Sequence, residues 1–181
     1  MIGNQSNKAF LNLLINSGVS EFTKNQPNNF YINENKIEKI EKIDLINVKT
    51  LEQLEKFINN SNSCSLKKTA KKTVFNDGNV NSKLMIIGEA PGKDEDVAGK
   101  PFVGQAGKLL NKMLQAIKIN REDIYITNVI PWRPPNNRAP TNDEILQCLP
   151  FLQKHIEIIN PDLIYLLGGT AAKAVLASNI S

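Results

Sequence analysis

An α/β layer fold with a parallel sheet is predicted by two features of this 181-residue chain. Short apolar runs rich in β-branched residues recur at 84–87, 124–129 and 163–167. Each is closed by Gly, Pro or Asn and followed by a helical pattern, the alternation expected of parallel strands joined by crossover helices.

The elements follow in order. Phe10, Leu11, Leu14 and Ile15 have helical spacing and end at Gly18, predicting a short helix over 5–17. Residues 20–49 are rich in Asn, Lys, Glu and Ile without a sustained period and read as a linker. Thr50 and Gln53 form a capping box ahead of Leu51, Leu54, Phe57 and Ile58, so a second helix begins there. Residues 1–62 are therefore expected to be a helical and linker extension, and 63–181 the α/β domain. Within that domain Leu109, Leu110, Met113, Leu114 and Ile117 predict one apolar helix face. Thr141 and Glu144 cap a further helix carrying Ile145, Leu149, Leu152 and Ile156, in which Pro150 predicts a kink.

Composition narrows the class. With 22 Lys+Arg against 18 Asp+Glu, a net charge of +4 and 41% hydrophobic residues, the chain has the makings of a folded domain and not of a disordered tail. The charge is compatible with a nucleic-acid partner without requiring one. No apolar run approaches the roughly 20 residues of a membrane span. The first residues lack a signal-peptide pattern, and Cys64 and Cys148 make no disulfide framework, so a reducing cytoplasm is expected.

In open parallel sheets ligands gather off the carboxyl ends of the strands, where the unusual residues of this chain also lie. Gly88-Glu89-Ala90-Pro91-Gly92-Lys93 is not a Walker loop: three residues separate its glycines and Asp94 follows the Lys. The glycines of 99–107 do not match the dinucleotide fingerprint either. Glu89, Asp94, Glu95 and Asp96 form a carboxylate cluster that could hold a side chain over a cleft or could be a solvated acidic helix start. Phe102, between Pro101 and Gly104, suits either an aromatic platform or a buried loop anchor. Asn128, closing the second strand, can read a base edge or cap a turn. Arg133 and Arg138 on a proline-stiffened loop, with Lys67, Lys68, Lys71 and Lys72, are basic groups suited to phosphates or to solvent. His155, on the predicted helix away from these loops, reads as a helix-surface or partly buried structural residue.

Taken in order, Gly88-Glu89-Ala90-Pro91-Gly92 with Glu95-Asp96, then 99–104, Thr127-Asn128-Val129, Arg133-Pro134-Pro135 and Asn137-Arg138 resemble the type-4 uracil-DNA glycosylases. The resemblance spans roughly residues 64–176. It implies a three-layer α/β/α fold around a central parallel sheet, and removal of uracil from DNA by cleavage of the bond between base and sugar. By that resemblance Glu89 would be the catalytic carboxylate with Glu95 in support. Gly88, Ala90, Pro91, Gly92, Phe102 and Asn128 would hold the flipped uracil, and Arg133 and Arg138 the phosphates. Uracil-containing DNA is the implied partner, with no membrane and a monomeric state.

The sequence departs from the family in two places. Many members bind a 4Fe-4S cluster through four cysteines, of which this chain matches only Cys64 and Cys148, with Ser61 and Trp132 at the other two positions. A cubane cluster normally needs a ligand on each iron, so no cofactor is expected and both cysteines are expected to pack. The family's late histidine-proline motif and its strand are also expected but not met before Ser181, which suggests a truncated or split member whose last strand edge is left unpaired. The alternative reading is accordingly a catalytically inactive remnant or DNA-binding module, and a separate fragment completing the sheet is a third.

Overall fold

The three apolar runs become Leu84–Gly88, Tyr125–Asn128 and Leu163–Leu166, strands β2, β3 and β4 of one sheet. The computed structural model describes residues 45–177, so the expected helix over 5–17 and most of the expected linker lie outside the described residues. Strand β2 pairs in parallel with both neighbours, in register Gly88 with Asn128 and Ile86 with Tyr165. The sheet is not wholly parallel. A two-residue strand β1, Asp77–Gly78, adds antiparallel to β3, giving the order β1-β3-β2-β4. Its brevity and its Asp-Gly composition give no strand signal, which is why it escapes a reading of apolar runs.

The helices, α1 Leu51–Asn60, α2 Lys93–Ala98, α3 Gln105–Ala116, α4 Asn142–Ile159 and α5 Gly169–Ala177, start where the sequence places caps or glycines. Both expected capping boxes form. Thr50 Oγ1 accepts from the Gln53 amide at 3.3 Å and Thr141 Oγ1 from that of Glu144 at 3.2 Å, and each side chain at the third position reaches back to its cap. Helix α4 continues as one element through Pro150.

Alternation along the strands sorts the core into two sides, which makes the three layers. Met85, Ile87 and Tyr125 point toward α1, α4 and α5, meeting Leu54, Ile58, Phe151, Leu152 and Ala171. Ile86 and Ile126 point the other way, toward Leu110 and Leu114 of α3. Helix α1 lies within the segment expected as an extension, yet Leu54 and Ile58 are fully buried in the same core, and Leu45 and Val48 join them.

The expected apolar face of α3 is only partly used. Leu110 and Leu114 are buried, whereas Leu109, Met113 and Ile117 are 50–64% exposed. On the same side of the sheet Leu163 and Tyr165 of β4 are also exposed, and among the described residues β4 pairs with β2 alone. Among the described residues no helix is long and apolar enough to cross a membrane.

Candidate active site

Because α3 carries the chain from β2 to β3 on one face and α4 carries it back past β2 to β4 on the other, the strand order reverses at β2. A crevice opens off the carboxyl ends at such a switch point. The residues there are Gly88 at the end of β2, Asn128 at the end of β3 and the loop bearing Phe102.

These three come together. A Cβ placed on Gly88 would lie 2.5 Å from Asn128 Oδ1 and 2.5 Å from Cζ of the Phe102 ring, so only glycine lets the ring and the amide close onto the backbone there. Asn128 is 94% buried by its 6% exposure, yet its side-chain amide has no hydrogen-bond partner among the described residues. Its neighbour Thr127 is satisfied instead, donating from Oγ1 to the Phe75 carbonyl at 2.8 Å. Among the described residues no buried side-chain nitrogen or oxygen lacks a partner, so the amide atoms of Asn128 keep contact with solvent, where a ligand can reach them.

The Phe102 loop is held by force from several directions. Phe102 adopts φ 54°, a left-handed backbone rarely taken by a bulky residue and costing on the order of 1–3 kcal/mol. Glu95 balances that cost. One carboxylate oxygen accepts from the amides of Val103 and Gly104, at 2.9 and 2.8 Å, and the other from Gly92 at 3.1 Å. From the far side Arg121 donates to the Pro101 carbonyl at 2.6 Å while its Nε bonds Asp77 at 2.8 Å. Gly107 completes the clamp, since any Cβ there would run into the Phe102 carbonyl.

Glu95, expected in support of Glu89, is engaged by the backbone. With three backbone amides on its two oxygens it is a buried brace that ties the Gly88–Gly92 loop to the Phe102 loop. Asp96, beside it, is likewise buried and accepts from the Lys71 and Lys72 amides at 2.8 and 3.4 Å. Asp94 is exposed. Of the four clustered carboxylates only Glu89 is both half-buried and without a hydrogen-bond or ion-pair partner among the described residues. Ala90 and Pro91 follow it in the loop, which the segment after β3 anchors through Ile130 N–H donating to the Glu89 carbonyl at 3.1 Å.

The two arginines are already engaged. Arg133 donates from Nε to Asn137 Oδ1 at 2.7 Å and lies 4.0 Å from Asp96. Arg138 makes a two-pronged contact with Glu144 at 2.8 and 2.6 Å. That fork, with help from the Thr141 amide, holds the Glu144 carboxyl at about 2. Any phosphate at Arg138 must compete with Glu144.

His155 is neither exposed nor near the cleft. Its Nδ1 shares a 2.8 Å hydrogen bond with the Tyr125 hydroxyl, its ring rests 4.5 Å from that of Phe75, and burial lowers its pKa to about 3. Arg121, Asp77 and Gly107 are the site-building residues that motif reading missed. Only Gly107, within the glycine-rich stretch, carried any signal.

A 4Fe-4S cluster does not fit the residues at the family's cysteine positions. Cys64 and Cys148 are free, buried thiols in contact with one another, and that contact with burial pushes the Cys148 thiol up. Ser61 Oγ donates to Ser63 at 2.9 Å. Trp132 fills the same core, packed edge-on against Phe151 and donating from its indole to Thr73 at 3.1 Å. Two thiols, a hydroxyl and an indole cannot supply four iron ligands.

The family model of the uracil DNA glycosylase superfamily matches residues 75–180. Type-4 uracil-DNA glycosylases are among the relatives. That of Saccharolobus solfataricus is 52% identical over 58% of this chain and 49% of its own length. That of Archaeoglobus fulgidus is 49% identical over 62% and 56%, and that of Pyrobaculum aerophilum 45% over 68% and 63%. The chain thus spans little more than half the length of these curated relatives. A cleft of Gly88, Phe102 and Asn128 at the strand ends and a match over more than half the residues lead to one conclusion: the chain belongs to the uracil-DNA glycosylase superfamily.

Proposed function

We propose that this protein excises uracil from DNA, flipping the base into the cleft and hydrolysing its N-glycosidic bond to leave an abasic site. The observation that carries this reading is the partnerless Asn128 amide and the Phe102 ring gathered over Gly88 at the strand ends. An amide offers one acceptor and two donors, which can meet the alternating N–H and carbonyl edge of uracil. The exocyclic amine of cytosine would put a donor where uracil has an acceptor, leaving buried groups unpaired and rejecting that base. The aromatic ring supplies stacking worth about 1–3 kcal/mol per base. Flipping costs a few kcal/mol and least in single strands or mismatches, which makes these the favoured substrates.

Bond cleavage places positive charge on the sugar and negative charge on the leaving uracil. Glu89, partly shielded from water and unpaired, is the group to position the attacking water and stabilise the sugar cation. Glu95 acts by holding Phe102, and Arg133 and Arg138 meet the phosphate backbone. The reaction proceeds without a cofactor.

The test is a single-turnover assay with excess protein on single- and double-stranded oligonucleotides bearing one uracil, scoring alkali-cleavable abasic sites. Cleavage by the wild type that is lost in Glu89→Ala supports the reading. A folded chain that binds DNA but releases no uracil overturns it, and makes the protein a DNA-binding module of the family instead.

A further inference from the structure

The geometry points to the Lys71-Lys72 turn as a phosphate-binding element for the DNA strand entering the cleft, fixed in place by the buried carboxylate of Asp96; this rests on the reading of the cleft as a DNA glycosylase site. Asp96 is only 2% exposed and lies on α2, directly after the Gly88–Gly92 loop. Its Oδ1 receives two successive backbone amides, those of Lys71 and Lys72, and its Oδ2 faces Arg133 at 4.0 Å. One buried charge thus ties together the loop wall of the cleft, the basic turn and the basic loop after β3.

The segment following the turn is pinned to that same loop. Val74 donates to the Pro131 carbonyl at 2.8 Å, and Thr73 Oγ1 accepts from the Trp132 indole at 3.1 Å. The stem of Lys72 runs past Gly99 at the end of α2, its Cδ 3.3 Å from where a Cβ would stand. The turn is therefore a fixed feature of the rim.

The lysine heads themselves are free. Lys71 and Lys72 are exposed and make no ion pair among the described residues, whereas Lys100, Arg121, Arg133 and Arg138 each lie within 4.0 Å of an acid. Two unpaired ammonium groups on a rigid rim, next to a cleft whose ligand is a nucleotide, match the spacing-tolerant, point-charge recognition that lysine gives phosphates. Asp96 is a positioning residue here and touches no substrate.

The test measures binding of the full chain to a fluorescein-labelled, uracil-free single-stranded oligonucleotide by anisotropy across a salt series, with single-turnover cleavage in parallel. On single strands each phosphate contact contributes about 0.7 to the slope of log affinity against log salt. Lys71→Ala with Lys72→Ala is expected to lower that slope by about 1.4 and to raise the protein concentration giving half-maximal cleavage. Lys71→Arg with Lys72→Arg should retain the slope. Asp96→Asn keeps both lysines and should still lose part of it, and Lys83→Ala, at the opposite end of β2, should not. An unchanged slope in the double alanine variant overturns the proposal while leaving the glycosylase reading intact. A lowered slope in a chain that cleaves no uracil DNA supports the phosphate site and overturns the glycosylase reading. A chain that does not bind the oligonucleotide overturns both.

Discussion

Two sets of polar side chains withdrawn at least in part from water behave in opposite ways. On α4 and its approaches every such group is answered: His155 by Tyr125, and Glu144 by Arg138 and the Thr141 cap. At the carboxyl ends of β2 and β3 the Asn128 amide and the Glu89 carboxylate have no partner among the described residues, although both are at least partly withdrawn from water. Among the described residues no buried side-chain nitrogen or oxygen lacks a partner, so the open atoms of these two groups keep contact with solvent at the strand ends, within reach of a ligand.

The sharpest way to break the contrast is to crowd the contact at Gly88. Gly88→Ala puts a methyl within 2.5 Å of both Asn128 and Phe102. Displacing the bound base by about 1 Å should lower single-turnover uracil release by about 100-fold or more. Overpacking should also cost roughly 1–3 kcal/mol in urea unfolding. Release at the wild-type rate would mean that the base binds elsewhere.

Next is the brace. Glu95→Gln keeps shape but removes the charge that three amides share, with an expected loss of about 1.5–3 kcal/mol in stability. Activity should fall with it as the φ 54° backbone at Phe102 relaxes. Loss of activity at unchanged stability would instead make Glu95 a chemical participant.

The smallest effect concerns pH. His155 has its pKa lowered from 6.5 to about 3, so between those values the unfolded chain binds the proton and the folded one does not. Stability is full above pH 6.5 and is lost as pH falls toward 3, by up to about 1.4 kcal/mol per pH unit. Glu144, lowered from 4.5 to about 2, adds a loss in the same sense over its own lower range. His155→Gln leaves a partner for Tyr125 and should flatten the profile between pH 6.5 and 4.5. A wild-type slope persisting in that variant would assign the effect to another group.

Much of this was legible from residue types. β-branched runs marked the three parallel strands, Thr-x-x-Gln and Thr-x-x-Glu marked two helix starts, and Gly88, Phe102 and Asn128 stood out by position. What the letters could not show were contacts made through the backbone. Glu95 and Asp96 read as candidate chemistry, because a carboxylate looks the same whether it meets a substrate or an amide. Strand β1 is too short to have a period, and Arg121 reaches Pro101 from twenty residues away. Burial of His155 and exposure of Leu109 and Met113 depend on which elements cover them, a tertiary property that helical spacing leaves open.

One measurement bears most directly on the contrast between paired and open groups: uracil release and urea unfolding compared for the wild type and Asn128→Ala. Because the amide bonds nothing in the folded chain, no hydrogen bond is lost and stability should fall by no more than about 1 kcal/mol. Loss of a ligand-facing pair should slow release by about 10-fold to 100-fold. A variant that unfolds more readily yet releases uracil at the wild-type rate would contradict the account, making Asn128 a part of the fold and not of the site.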